Sequence, residues 1–260
     1  MNRILVKNDF LVRIQYISDL HIDVNAYKNW SDLLNPTGDI LILAGDISSP
    51  LYHGLSKFLK WCSQHWNKVI FIPGNHEYYN NSGKFKMDQV EKMLESICQK
   101  HGVIFAQKSV ISLRPGLHLL ACTLWSDING VELTVRNSMR DFSMIPDMNI
   151  EKWKRIHTEH VDWLTKNIDK YDNVVIATHH APLIYGTANP FHEGTLGNKA
   201  YASDLGHLVA KTKGWIFGHT HHYTDITYPG DAGDPVPVLS NPLGYRHEKT
   251  GWKTDRILEL

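Results

Sequence analysis

Short apolar runs alternate along most of the chain with stretches of helical periodicity. Val12-Arg-Ile-Gln-Tyr16 alternates with period two, the pattern of a half-buried strand, and leads through Ile17 into Ser18-Asp19-Leu20-His21. Ile40 to Leu43, bounded by Gly38 and Gly45, is apolar at every position, as expected of a strand covered on both faces, and Ala44-Gly45-Asp46 follows it. Leu55, Phe58, Leu59, Cys62 and Trp66 recur at helical spacing, and Val69 to Ile72 predicts another strand, ending in Pro73-Gly74-Asn75-His76. Val90, Met93, Leu94 and Ile97 predict a second helix. Val103 to Phe105, Val110 to Leu113 and Leu117 to Thr123 predict successive strands, and Glu151 to Ile168 a long helix. Val174 to Ala177 and Trp215 to Phe217 predict buried strands that end in Thr178-His179-His180-Ala181-Pro182 and Gly218-His219-Thr220-His221. Val236 to Leu239 and Ile257 to Leu260 predict the closing strands.

Strand, helix, strand is the grammar of an α/β protein. No repeat, low-complexity tract or linker interrupts it, so residues 1–260 are expected to form one domain. The least regular stretches are Asp127 to Met148 and Ile184 to Ala202. Loops that long in a compact domain are usually functional, which makes them candidate walls of a site.

Composition narrows the function classes. Lys+Arg 27 balance Asp+Glu 27, so no long-range field gathers nucleic acid or anionic membrane. Cys62, Cys98 and Cys122 are odd in number and widely spaced, which predicts reduced thiols rather than a disulfide framework or a cysteine zinc site. Lys7, Asn8 and Asp9 precede the apolar stretch Phe10 to Ile17, itself broken by Arg13 and Gln15, so no secretion signal is expected there. No apolar run approaches the roughly 18 residues that cross a bilayer. These features predict a soluble, cytoplasmic protein without a membrane or an obligatory protein partner. The outlying number is histidine, at 16.

Those histidines are not scattered. Strand-like runs end in Asp19/His21, Asp46, Asn75/His76, His179/His180 and His219/His221. Ligands of an open α/β sheet gather beyond the carboxyl ends of its strands, so these distant clusters are placed to meet. In extended backbone residues i and i+2 project to one side, which would aim Asp19 with His21, and His219 with His221, into one site. Glycine directly precedes Asp46, Asn75 and His219, where a sharp turn is expected. Any one of these residues alone reads as an ordinary turn or surface position. It is their coincidence at five strand ends that carries information.

Mixed imidazole and carboxylate donors without thiolate suit Mn, Fe, Zn or Co better than Ca or Mg. The candidate ligands Asp19, His21, Asp46, Asn75, His179, His219 and His221 are too many for one tetrahedral ion. Two ions about 3.5–4 Å apart would use them all if one carboxylate bridges, and Asp46 is the expected bridge. Two divalent cations less the Asp19 and Asp46 carboxylates leave about +2, or about +1 with a bridging hydroxide, which favours a phosphoryl substrate. Such a hydroxide, available near neutral pH, suits in-line attack on phosphorus. His76, one residue beyond a ligand, is placed to protonate the departing oxygen.

At this point the residues resemble the calcineurin-like metallophosphoesterase family. The match is the ordered series Asp19-Leu-His21, Gly45-Asp46, Gly74-Asn75-His76-Glu77, Thr178-His179-His180-Ala-Pro182 and Gly218-His219-Thr-His221, spanning Ile14 to His221. The resemblance implies a four-layer αββα sandwich, two mixed β-sheets flanked by helices, with a dinuclear centre at the strand ends. It implies that Asp19, His21, Asp46 and His221 hold one metal and Asp46, Asn75, His179 and His219 the other, with His76 as proton donor. The choice of His179 over His180 follows the family's habit. Protein serine/threonine phosphatases of this superfamily carry Asp-Arg-Gly after the Gly-Asp and an arginine soon after Gly-Asn-His-Glu. Ile47-Ser-Ser-Pro50 and Tyr78-Tyr79-Asn80 stand there instead, which disfavours a protein phosphatase, while Tyr201-Ala-Ser-Asp204 and Asn241-Pro-Leu-Gly-Tyr245 resemble pieces of a small bacterial or phage-type subgroup.

Arg136, Arg140 or Lys199 from the irregular stretches are candidates to replace the missing phosphate clamp. Candidate substrate contacts are His180, Arg140, Tyr201 and His222. The expected substrate is a small phosphomonoester or phosphodiester, with a nucleotide among the candidates. A cyclic-nucleotide phosphodiesterase or nuclease using the same centre is the alternative enzyme, although zero net charge disfavours a long nucleic acid. A non-catalytic scaffold of the same fold is the third reading, disfavoured because every motif position is filled.

Overall fold

The computed structural model describes residues 11–25, 27, 29–80 and 83–260. Lys7 to Phe10, and with them part of the N-terminal expectation, lie outside the described residues. In chain order the strands are β1 (Arg13–Ile17), β2 (Ile40–Ala44), β3 (Lys68–Ile72), β4 (Ile104–Phe105), β5 (Ser109–Arg114), β6 (Leu117–Cys122), β7 (Val174–Thr178), β8 (Gly214–Phe217), β9 (Thr224–Pro229), β10 (Pro235–Ser240) and β11 (Ile257–Glu259). The helices are α1 (Ile22–Asn25), α2 (His53–His65), α3 (Met87–Lys100), α4 (Glu132–Ser138), α5 (Asp141–Met144), α6 (Ile150–Ile168) and α7 (Gly206–Val209).

The strands form two mixed sheets, ordered β11-β1-β2-β3-β4 and β5-β6-β7-β8-β10-β9. In each, a parallel centre is bordered by antiparallel strands, β11 on β1 in the first and β5 on β6 and β9 on β10 in the second. The period of two sorts each strand's side chains between layers. Ile40, Ile42 and Ala44 of β2 pack between the sheets against Leu119, Ala121, Val175 and Ala177. Leu41 and Leu43 of the same strand face outward onto Leu55, Phe58 and Leu59 of α2 and Leu94 of α3. On the far side Leu120, Ile176, Trp215 and Phe217 pack on Leu164 and Ile168 of α6. Helices, sheet, sheet, helices is the expected four-layer sandwich. Truncating a fully buried side chain such as Phe58 is expected to cost about 3–5 kcal/mol.

Two expectations need correction. The stretches expected to be irregular contain short elements: α4 and α5 in the first, and a 3-10 turn at Leu196–Ala200 in the second. Strand β9 was not expected. It is an edge strand, with Thr224 buried and Asp225, Thr227 and Pro229 exposed, so it lacks the continuous apolar run that marks the central strands. No helix among the described residues is long and apolar enough to cross a membrane.

Candidate metal centre

The central parallel strands deliver their carboxyl ends to one edge of the sandwich, and the clusters predicted from sequence meet there. The route differs from the expected one. Asp19, His21, Asp46, His219 and His221 have φ of 55°, 43°, 54°, 68° and 48°, so the chain curls into the left-handed region instead of continuing extended. Non-glycine residues there are uncommon and cost of order 1–3 kcal/mol each unless their surroundings over-determine them. Backbone bonds between the loops supply that constraint. Asp19 N–H donates to Gly45 O at 3.0 Å, His21 N–H to Asp46 O at 3.0 Å, and Gly218 N–H to His179 O at 2.9 Å. The Asp19 carboxylate also accepts from the His219 N–H at 3.0 and 3.1 Å.

Glu77, to which the sequence reading assigned no role, ties two of these loops together. It is fully buried and accepts from the N–H groups of Asp46 at 2.9 Å, Ile47 at 2.7 Å, Ser48 at 3.0 Å and Gly74 at 2.6 Å. Burial and the Asp46 charge push Glu77 up to about 8, while the N–H donors favour its charged form. Gly45, with φ of 85°, makes the sharp turn expected of it. Gly74 serves a different purpose, close approach: a Cβ there would overlap Asp46 Oδ1 and lie 2.6 Å from Asp46 N.

The donor atoms form neighbouring groups, Asp19/His21/His221 and Asp46/His179/His219, linked by a third that contains His21, Asp46 and His76. At one end Asp19 Oδ1 lies 3.3 Å from His221 Nε2, which is 3.2 Å from His21 Nε2. At the other, His179 Nε2 lies 3.3 Å from Asp46 Oδ1 and 3.0 Å from Asn75 Oδ1. Asp46 Oδ2 is 3.9 Å from both His21 Nε2 and His76 Nε2. Asp19, His21 and His221 form one set whose potential ligand atoms lie within 4.8 Å of one another, and Asp46, His179 and His219 form another.

These sets fit cations. His179 Nδ1 donates to Ala44 O at 2.9 Å, since a carbonyl can only accept, and so turns the lone pair of Nε2 toward Asp46 and Asn75. His221 Nδ1 donates to Glu248 Oε2 at 2.6 Å and likewise frees Nε2. His219 Nε2 is buried with no hydrogen-bond partner. Acceptors thus face acceptors, an arrangement that repels unless a cation or a proton lies between them. Burial disfavours charge on both rings, yet the Asp46 carboxylate raises His179 to about 9 and the Asp19 carboxylate raises His221 to about 10. Burial lowers His21 to about 4.

A cavity of about 320 Å³ opens over this floor. His76 lies at its edge, its ring stacked 4.1 Å from Tyr79 and its backbone N–H donating to Asp46 Oδ1 at 2.9 Å. Tyr79 donates to the buried Asp141 carboxylate at 3.0 Å. Tyr245 stacks 4.5 Å from His21, with its hydroxyl 3.5 Å from His76 Nε2. Of the expected substrate contacts, Arg140 and Tyr201 line the cavity, as does His192. Arg136 borders a separate cavity, and Lys199 donates to Asn129 O at 3.1 Å.

His180 and His222 do not line this cavity. His180 is fully buried behind the floor, 4.1 Å from the His219 ring and stacked 5.4 Å from Trp125, and burial holds it neutral. The chain bends after β7, and the His180 ring packs beside His179 and His219 on the side of Trp125 and Trp153, away from the cavity lining. His222 is partly exposed outside the lining. Glu248 and Asp141 were missed, because an acidic residue in a loop carries no local signal until its partner is seen across the fold.

A two-sheet sandwich with carboxylate and imidazole groups gathered at its strand ends is the architecture of a metallophosphoesterase. Residues 12–223 match the calcineurin-like phosphoesterase family, and the chain belongs to it. An uncharacterised protein, L509, of Acanthamoeba polyphaga mimivirus is 29% identical over 274 residues, covering 95% of this chain and 96% of the viral protein. Among solved structures, the phosphopantetheinyl hydrolase PptH of Mycobacterium tuberculosis has the same fold, with a TM-score of 0.69, 18% identity and 95% of each chain covered. A dimetal phosphatase of Danio rerio aligns with a TM-score of 0.51 and 15% identity over 95% of each chain. Family and donor set together support a hydrolase of phosphoester bonds that uses divalent metal ions.

Proposed function

We propose that the protein hydrolyses a small phosphomonoester or phosphodiester at a dinuclear centre. The observation that carries this reading is the pair of donor sets, joined through His21 and Asp46, beneath one cavity. Asp19, His21, Asp46 and His221 would hold one cation, and Asp46, Asn75, His179 and His219 the other. Manganese, iron or zinc suits these donors. When bound, such a pair polarises phosphoryl oxygens and lowers the pKa of water toward 7.

The chain's own groups do the rest. Asp46 presents Oδ1 toward His179 and Oδ2 toward His21, the geometry of a bridge between two positions. His76, clamped by Tyr79 and by its backbone bond to Asp46, presents Nε2 to the cavity as the donor that protonates the leaving oxygen. Arg140, which pairs with no carboxylate within salt-bridge distance among the described residues, supplies the cavity's cationic wall and would bind a phosphate oxygen or a charged leaving group. Tyr201 stands 4.9 Å from the His219 ring and shapes the same wall.

Net charge of zero and a cavity of only about 320 Å³ favour a small ester over a nucleic-acid strand. The test is turnover of p-nitrophenyl phosphate, its bis ester, mononucleotides, cyclic nucleotides and single-stranded DNA by Mn²⁺-loaded protein. Hydrolysis of a small ester that disappears in Asp46→Ala is the expected result. No turnover of any of these by metal-loaded protein overturns the catalytic reading.

A further inference from the structure

The donors described above all follow β1, β2, β3, β7 and β8, within residues 12–223 that match the family. The loop after β10 lies beyond that match and nevertheless closes one side of the centre. It is fixed to the Asp19 loop: Leu243 N–H donates to Ser18 O at 3.1 Å, Gly244 N–H to Asp19 O at 3.0 Å, and Asn25 Nδ2 to Gly244 O at 3.0 Å. Gly244 has φ of 73°, and a Cβ there would lie 2.5 Å from Glu248 Oε2. The fold thus brings the Glu248 carboxylate against His221, where Oε2 accepts from His221 Nδ1 at 2.6 Å and from the Tyr245 N–H at 2.7 Å.

The two ends of the centre differ in this support. His179 leans on a neutral carbonyl, Ala44 O, whereas His221 leans on a carboxylate. Hydrogen bonds to an ionised acceptor are roughly twice as strong as neutral ones, and a carboxylate behind an imidazole raises its basicity as a ligand. The same oxygen accepts from the backbone N–H of Tyr245, whose ring stacks on His21, while the imidazole it touches directly is His221.

We propose that Glu248 is a positioning residue that turns His221 Nε2 onto Asp19 and His21 and so makes the cation position built from Asp19, His21 and His221 the tighter of the two. This rests on the ligand assignment given above. The chemistry is that of a carboxylate–imidazole–cation relay acting on one position, with the position built from Asp46, His179 and His219 left to its backbone carbonyl.

The test is calorimetric titration of EDTA-treated, full-length protein with Mn²⁺. Wild type is expected to bind in two steps of different affinity. Glu248→Ala should weaken the tighter step about 10–100-fold and leave the other within about twofold. Glu248→Gln, whose amide oxygen accepts the same N–H, should lose less and serves where the alanine variant does not fold. In a His221→Ala background, Glu248→Ala or Glu248→Gln should change Mn²⁺ affinity no further. Unchanged Mn²⁺ affinity in both Glu248 variants, an equal loss at both steps, or a further loss in the His221→Ala background overturns the positioning role while leaving the ligand assignment standing. Wild type that takes up no Mn²⁺ overturns the ligand assignment and the positioning role together.

Discussion

At the floor of the cavity Asp19, Asp46, Asn75, His179 and His219 are buried in a web of backbone hydrogen bonds, and several of them stand in left-handed conformations. The walls contributed by residues 131–140 and 184–202 are built otherwise. Leu133, Phe191 and Leu196 are 68%, 85% and 64% exposed, and the segments are short helices and turns. A floor that is over-determined holds reacting groups in place at the cost of backbone strain. A wall anchored by Val135 and Ala200 but presenting exposed side chains such as Phe191 and Leu196 tolerates substitution at those positions and can be reshaped for a different leaving group. On this account the floor sets the reaction and the walls set the substrate.

The sharpest way to break that contrast is to disturb the floor without substituting a donor. Gly74→Ala places a methyl group into Asp46 Oδ1 and against Asp46 N. The Gly74 N–H is already held by Glu77 at 2.6 Å, so the loop cannot simply withdraw. A loss of about 1–3 kcal/mol in stability and about 10²-fold in kcat/KM is expected from melting curves and steady-state kinetics. Near-wild-type values would mean that the floor is softer than its hydrogen bonds imply.

His160 probes the support behind the floor. It is buried and its Nδ1 accepts from the Leu124 N–H at 3.0 Å, which fixes the ring neutral, and burial lowers its pKa from 6.5 to about 3. The unfolded chain binds a proton there below pH 6.5 while the folded one does not. Its contribution to stability is therefore whole above 6.5 and is lost as pH falls from 6.5 toward 3, at about 1.4 kcal/mol per pH unit. Denaturant melts of metal-free wild type and His160→Gln should differ in slope over that window. Parallel profiles would contradict the assignment.

The walls should answer differently. Arg140→Ala is expected to raise KM about tenfold for an anionic ester with kcat within about threefold, since the group binds substrate and transition state alike. A fall in kcat at constant KM would place Arg140 with the reacting groups instead. Phe191→Ser should be the mildest change, within about 0.5 kcal/mol in stability and about twofold in kcat/KM for a small ester. A large loss would show that the wall packs on something.

The same contrast decides what could be read from sequence. Strands such as β2 and β7 are covered on both faces, so their apolar runs announce them, and the donors at their ends follow by position. Edge strand β9 and the short helices α4 and α5 are held by tertiary contacts and carry little periodicity of their own. The convergence of Asp19, His21, Asp46, Asn75, His179, His219 and His221 was legible because the strands carry their ends to one edge. Their conformation was not, since backbone bonds such as Asp19 to Gly45 join residues far apart in the chain. His180 does not reach the cavity because the bend after β7 packs its ring on Trp125 and His219, partners distant in the chain. Glu248 was invisible because its meaning depends on His221, distant in sequence.

The claim on which all of this depends is that one carboxylate joins two cation positions. Anomalous diffraction from crystals of the Mn²⁺-loaded protein tests it most directly. Two peaks about 3.5–4 Å apart are expected, one against each oxygen of Asp46. Peaks remote from Asp46, or no peak at all from metal-saturated protein, would contradict the account.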